Sequence, residues 1–180
     1  MINSRNIDDL RGDVAANCRK FLDMCRAAGL SPLVTCTVRD QEQQDVYYKA
    51  GTGGKTVTFH KLGVGLAFDI CKNVKGQEYS DTNFFLKAAE IGERMGFTWG
   101  GRWKNVDMPH FQWDAGKQYH DADIIAGRFP PTMPLWVEDA ITAYKAIIKK
   151  HVAYAEATWQ YLDQYKYAEA LYKKWAESYK

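Results

Sequence analysis

Apolar residues at Ile7, Leu10, Val14, Cys18, Phe21, Leu22 and Cys25 recur every three or four positions, the spacing that lines one side of a helix. Asn6 stands where an N-cap would, and Gly29 where the helix would stop. After Pro32 the period changes to two. Val34, Cys36 and Val38 alternate with Thr35, Thr37 and Arg39, which predicts a strand with Arg39 at its end on the polar face. Asp40, followed three residues later by Gln43, resembles a capping box and predicts a short helix through Tyr47 that stops at Gly51. Leu66 to Ile70 reads as a second strand, with Ala67 and Asp69 on one face. Phe84, Phe85, Ala88, Ile91 and Met95 form a helical stripe that Ser80 or Asp81 would cap and Gly96 would close. A further strand is expected over residues 110–113.

These strands are short and helical crossovers between them few, so the expected class is α+β: a small antiparallel sheet with flanking helices, not a doubly wound sheet. Beyond Pro134 there is no glycine or proline as far as Lys180, and this stretch holds seven of the eleven tyrosines. Ile141, Tyr144, Ile148, Val152, Ala155, Trp159, Leu162 and Tyr165 keep helical spacing there. The expected organisation is a domain over residues 1–130 and a helical C-terminal appendage over 131–180. A single helix of that length would span about 70 Å at 1.5 Å per residue, so a break near His151 to Tyr154 and a helix pair are expected. The apolar face needs cover from the domain, from the other half of the tail or from a second chain. Tyrosine, tryptophan and lysine mix over residues 165–180, and that mixture also suits contact with a wall or membrane.

Composition narrows the classes. Apolar residues at 46% and charged residues at 26% are those of a globular chain, which argues against disorder. A net charge of +2 gives no basic footprint for nucleic acid. Cys18, Cys25, Cys36 and Cys71 form no CxxC pair and read as small buried thiols. No apolar stretch follows the first arginine, so the expectation is synthesis in a cytoplasm without a secretory leader. The stretch from Gly51 to Thr58 is glycine-rich but misses the phosphate-loop pattern, and reads as a rim loop.

The candidate chemistry lies in the histidines. His60 follows that loop, and nine residues later Asp69 interrupts an apolar strand, where an ionised carboxylate is costly unless paired or metal-bound. Asp107 precedes His110 by three residues with Pro109 between them. In a straight strand that offset places the two on opposite faces, so the chain must bend at Met108 and Pro109 for both to serve one site. Two histidines and one carboxylate would leave a tetrahedral zinc one open position, and the remaining acid would act as general base. The spacing is equally compatible with two unrelated histidines and a hydrogen-bonded buried acid. Trp99 and Trp103 suit a cleft or an ordinary core, and His120 reads as surface.

The residues themselves go further. His60, Gly63, Gly65, Leu66, Ala67, Phe68 and Asp69, followed by Phe97-Thr98-Trp99-Gly100-Gly101-Arg102-Trp103 and Asp107-Met108-Pro109-His110-Phe111, resemble the VanY-type zinc peptidases. That family includes D-Ala-D-Ala carboxypeptidases and the L-alanyl-D-glutamate endopeptidases of phage endolysins, and the tryptophan-rich segment is more similar to the endolysin branch. The resemblance covers about residues 5–125. It implies a hedgehog/DD-peptidase-like fold, zinc held by His60, Asp69 and His110, Asp107 as general base, Arg39 steadying the substrate carbonyl or oxyanion, and Trp103 at the substrate. It also implies a lysin that cuts the peptidoglycan stem peptide between L-Ala and D-Glu, made in the host cytoplasm and active at the wall after release. A D-Ala-D-Ala carboxypeptidase and an inactive zinc-bearing wall-binding module are the alternatives. The chain departs from the usual HxxGxAxD motif by two extra residues between His60 and Asp69. An even insertion keeps strand parity, and Gly63 and Gly65 can absorb it.

Overall fold

A computed structural model describes residues 1–137, 140–164 and 168–179. These fall into two compact units, Met1–Trp136 and Val137–Lys180. The first holds α1 (Gly12–Ala27), β1 (Pro32–Cys36), α2 (Gln41–Lys49), β2 (Ala67–Lys72), α3 (Thr82–Arg94), β3 (Thr98–Trp99), β4 (His110–Gln112) and α4 (Asp121–Ile125). The four strands form one antiparallel sheet in the order β1-β2-β4-β3, the α+β arrangement expected from the sequence.

One face of the sheet is dry. Phe68 on β2 and Phe111 on β4 stand opposite each other, and Phe21 of α1 packs on both with ring centroids 5.5 and 5.0 Å away. The stripe on α3 closes this core, and Gly92 is obligatory there because a Cβ would come within 2.7 Å of the Phe111 ring. Strand residues one position away point to the other face, and Asp69, His110 and Gln112 lie on it.

Two expectations need correction in detail, and one strand is additional. Asn6 does cap a helix, but only the 3-10 turn Ile7–Asp9; the α-helix starts at Gly12. The β3 strand was not anticipated, because two residues carry no periodicity. The alternation after Pro32 breaks at a β-bulge: Val34 pairs with Ile70, whereas Cys36 pairs with Asp69. Two residues of β1 therefore oppose one step of β2, and Cys36 shares the face of Asp69 instead of joining Val34 in the core.

Residues beyond 128 return to α1. Arg11 donates to the carbonyls of Pro130 and Pro131, Asp13 accepts from the Met133 amide, and Asn17 both donates to Pro134 O and accepts from Trp136 N. Met133 is buried beneath this strap.

In the second unit the chain does break after Ile148, and the described residues hold three helical segments where a pair was expected: α5 (Ala140–Ile148), α6 (Glu156–Asp163) and α7 (Ala168–Glu177). Ile148, Trp159, Ala168, Tyr172 and Ala176 form a core of their own. Asp163 ties the three helices together, accepting from Lys145 Nζ at 2.8 Å and from the Tyr172 hydroxyl at 2.9 Å. Of the apolar stripe, Ala155 lies exposed before α6, and the side chain of Ile141 and all of Tyr165 fall outside the described residues.

Candidate metal centre

The face of the sheet opposite the aromatic core gathers the residues singled out from sequence. Asp69 and His110 are direct cross-strand partners. His60 arrives from the loop before β2, where its carbonyl accepts from Arg39 N at 2.8 Å. His60 Nε2 and His110 Nδ1 are 3.1 Å apart, and each lies 3.1 Å from Asp69 Oδ1.

The outer nitrogens of both rings are committed. His60 Nδ1 lies 2.9 Å from Thr37 O; a carbonyl can only accept, so the proton sits on Nδ1 and the lone pair on Nε2. His110 Nε2 faces Gln112 Oε1 at 3.0 Å, while Gln112 Nε2 donates to Asp114 Oδ2 at 2.9 Å. The carboxylate fixes the orientation of the amide, the amide oxygen takes the His110 Nε2 proton, and the His110 lone pair falls on Nδ1. Three lone-pair atoms thus converge with no proton among them in the neutral tautomers. A cation relieves that arrangement: in a tetrahedron with bonds of about 2.0–2.1 Å, zinc separates its ligand atoms by about 3.3 Å, close to the triangle found.

Electrostatics tie the three groups to one another. Burial pushes His60 below its ordinary value, and the adjacent Asp69 only partly opposes it. Burial would raise Asp69, but the two imidazoles outweigh it and hold its carboxyl far below the carboxylate range. His110 is pushed down by burial and up by its contacts with Asp69, and the latter prevail.

Cys36, His60 and Asp69 form a second set of close donor atoms. Cys36 Sγ, however, approaches His60 at Nδ1, 3.7 Å away, the nitrogen already engaged with Thr37 O. Burial drives its thiol up to about 11, and Arg39 Nη1 donates to it at 3.3 Å. Cys36 is therefore a support for Arg39, and His110 the better third ligand.

Arg39 is only slightly exposed and closes one side of the site. Its Nη1 is 3.7 Å from Asp69 Oδ2, its Nε donates to Gln44 Oε1 at 2.6 Å, and its guanidinium lies 5.3 Å from the Tyr47 ring centroid. Gln44 is buried and also donates to Gly54 O at 2.6 Å. Gln41 holds the same glycine-rich loop through Lys55 O and Val57 N. The loop is thus pinned to α2 by two glutamines.

Asp107 lies just before β4, and a turn at Met108 and Pro109 supplies the expected bend: His110 N donates to Asp107 O at 3.3 Å. A Cβ on Gly100 would come within 3.1 Å of the Cβ atoms of both Asp107 and His110, so these two side chains leave the backbone beside the same glycine. The Asp107 carboxyl is accessible yet raised above its ordinary value, chiefly because neighbouring groups displace water from it; His110 opposes the shift and the negative Asp69 adds to it. Trp103 is partly exposed, with its ring 5.0 Å from that of His110. His120 is exposed at the start of α4 and belongs to no part of the centre.

The two-residue insertion is accommodated outside the triangle of His60, Asp69 and His110. Gly63 and Gly65 take φ of +80° and +59°. A Cβ at Gly65 would lie 2.7 Å from Arg11 N, which donates to Gly65 O. Gln44, Gln112 and Asp114 were not read from sequence. Gln112 was within reach, since it shares its strand face with His110 two residues earlier.

Fold and centre together define a class: a small α+β domain whose open sheet presents two histidines and one carboxylate. Residues 52–113, which carry His60, Asp69, Asp107 and His110, match the family described as D-alanyl-D-alanine carboxypeptidase. The "L-alanyl-D-glutamate peptidase" of Listeria phage A118 is 32% identical over 115 residues, covering 61% of this chain and 40% of that protein. The "Peptidoglycan L-alanyl-D-glutamate endopeptidase CwlK" of Bacillus subtilis (strain 168) is 30% identical over 122 residues, covering 58% of this chain and 73% of that protein. The solved L-Ala D-Glu endopeptidase ChiX of Serratia marcescens is similar at 24% identity and a TM-score of 0.49, over 62% of this chain and 88% of that one. The chain belongs to this peptidase family, as the motifs at His60, Trp99 and His110 implied. It spans less than half the length of the Listeria phage relative.

Proposed function

We propose that the protein is a zinc-dependent, endolysin-like peptidase that hydrolyses the L-Ala-D-Glu bond of the peptidoglycan stem peptide. The observation that carries this reading is the triangle of His60 Nε2, His110 Nδ1 and Asp69 Oδ1, with 3.1 Å edges and both outer ring nitrogens committed elsewhere. The names of the phage and Bacillus relatives support the bond chosen. Synthesis in a host cytoplasm and action at the wall after release belong to the same reading. Among the described residues, no helix is long and apolar enough to cross a membrane.

His60, Asp69 and His110 would hold the metal, which when bound supplies Lewis-acid polarisation of the scissile carbonyl and a water acidic enough to attack near neutral pH. Asp107 accepts the proton of the attacking water on a carboxylate oxygen and later returns it to the departing amine. Arg39, tethered by Gln44 and backed by Tyr47, offers its guanidinium to the carbonyl oxygen as negative charge develops there. Trp103 provides an exposed aromatic surface at the rim for the peptide.

The test is to incubate purified protein, with and without chelator, on peptidoglycan and to identify new termini by mass spectrometry. New N-terminal D-Glu that disappears with chelator supports the proposal. Released D-Ala instead would assign a carboxypeptidase, and zinc binding without products a wall-binding module.

A further inference from the structure

Asp114 is a buried carboxylate outside the catalytic set. Its Oδ1 accepts from Thr98 Oγ1 at 2.7 Å and from the Lys117 amide at 2.8 Å, and its Oδ2 accepts from Gln112 Nε2 at 2.9 Å. No lysine or arginine side chain pairs with it among the described residues. Both its partner Gln112 and the next group, His110, are buried, so water does not compete along the chain from Asp114 through Gln112 to His110.

We infer that Asp114 is a positioning residue that acts through Gln112 to keep the lone pair of His110 on Nδ1, the atom that faces His60 and Asp69. The inference rests on the proposed metal centre and deepens it. A terminal amide is ambiguous: it offers oxygen on one side and NH2 on the other, and rotation by half a turn exchanges them. Gln112 alone could present either end to His110. A carboxylate on its far side can only accept, so the NH2 must turn to Asp114 and the oxygen to His110 Nε2. His110 Nε2 then keeps its proton. With the amide reversed, the NH2 would donate to His110 Nε2, and the ring proton would move to Nδ1, where it blocks a metal. Partners that orient ligating histidines in this way are worth about 10–100-fold in metal affinity.

The experiment uses the full chain with its metal removed, and reads zinc affinity by chelator competition together with the His110 tautomer from imidazole 15N shifts. Asp114→Asn keeps an oxygen for Thr98 Oγ1 and Lys117 N but turns an NH2 toward Gln112. It is expected to weaken zinc about 10–100-fold and to move the His110 proton to Nδ1. Combining Asp114→Asn with Gln112→Glu gives His110 an acceptor again, since the introduced carboxylate can face both the ring N–H and the new amide. This double variant is expected to recover most of the lost affinity and the Nε2–H tautomer. Loss of affinity in Asp114→Asn with an unchanged tautomer, or no recovery in the double variant although it folds, would overturn the inference. If the parent protein binds no zinc, the metal-centre reading fails, and the tautomer comparison still decides whether Asp114 sets the ring.

Discussion

Asp69 and His110 stand directly opposite each other across β2 and β4, with Oδ1 and Nδ1 3.1 Å apart. Opposed residues of an antiparallel pair share a face, so sheet register places two of the three proposed ligands. A slip of one residue would send one of them into the aromatic core. The protein is expected to bind about one zinc per chain, as a three-ligand centre with one open position implies. His60→Ala, Asp69→Ala and His110→Ala should each lose it, checked by metal analysis of the purified variants. Full retention by Asp69→Ala would remove that residue from the set.

Asp107→Asn keeps size and shape and removes the base. It should retain zinc while turnover on muropeptides falls about 10²–10⁴-fold, the usual contribution of a positioned general base. Near-parental turnover would end the assignment.

Arg39→Lys keeps the charge and discards the planar fork that Gln44, Cys36 and Asp69 surround. Zinc should stay and activity should fall sharply. A variant as active as the parent would reduce Arg39 to a structural residue.

Asp13 anchors the strap over residues 130–136, accepting from Arg11 at 2.7 Å and from the Met133 amide. Burial would raise its pKa, but these donors outweigh burial and hold it below the ordinary 3.8. Its stabilising contribution is therefore complete above that value and is lost as pH falls through the depressed folded pKa. Asp13→Asn should lower the melting temperature clearly at pH 7, and the gap from the parent should narrow near pH 3. An equal gap at both values would show that charge plays no part.

Removal of residues 137–180 should leave a folded protein that still cleaves a soluble muropeptide, because the second unit carries its own core around Trp159 and Tyr172. Poor cleavage of intact walls by the truncated protein would assign the appendage to targeting. Aggregation or unfolding would instead make it a structural part of the enzyme.

The sequence made some of this legible and not the rest. Periodicities of two and near four were sufficient for α1, β2 and α3, because these elements are long enough to repeat. Asp40 and Asp81 announced their helices by chemistry, and both accept the third amide that follows. The α1 start was misplaced because Ile7 and Leu10 continue the helical spacing through a 3-10 turn. Cys36 was assigned to the wrong face, since a bulge alters hydrogen bonding without changing residue type. Gln44 and Asp114 escaped because each acts across distant segments, Gln44 on Gly54 and Asp114 on Thr98, and a single sequence does not display such pairing.

That bulge works as a reading-frame shift within one strand. Upstream of it, Val34 is spelled into the core; downstream, Cys36 is spelled toward Asp69. Removing Thr35 would regularise the strand and leave Cys36 directly after Val34, so that alternation alone would hold it on the face of Asp69 with its sulfur still toward Arg39. Chains that keep this face should therefore tolerate a single-residue gap at Thr35 far more readily than one elsewhere within β1, which would reverse the face of the residues beyond it. Aligned relatives can be checked for that asymmetry without any experiment on the protein itself.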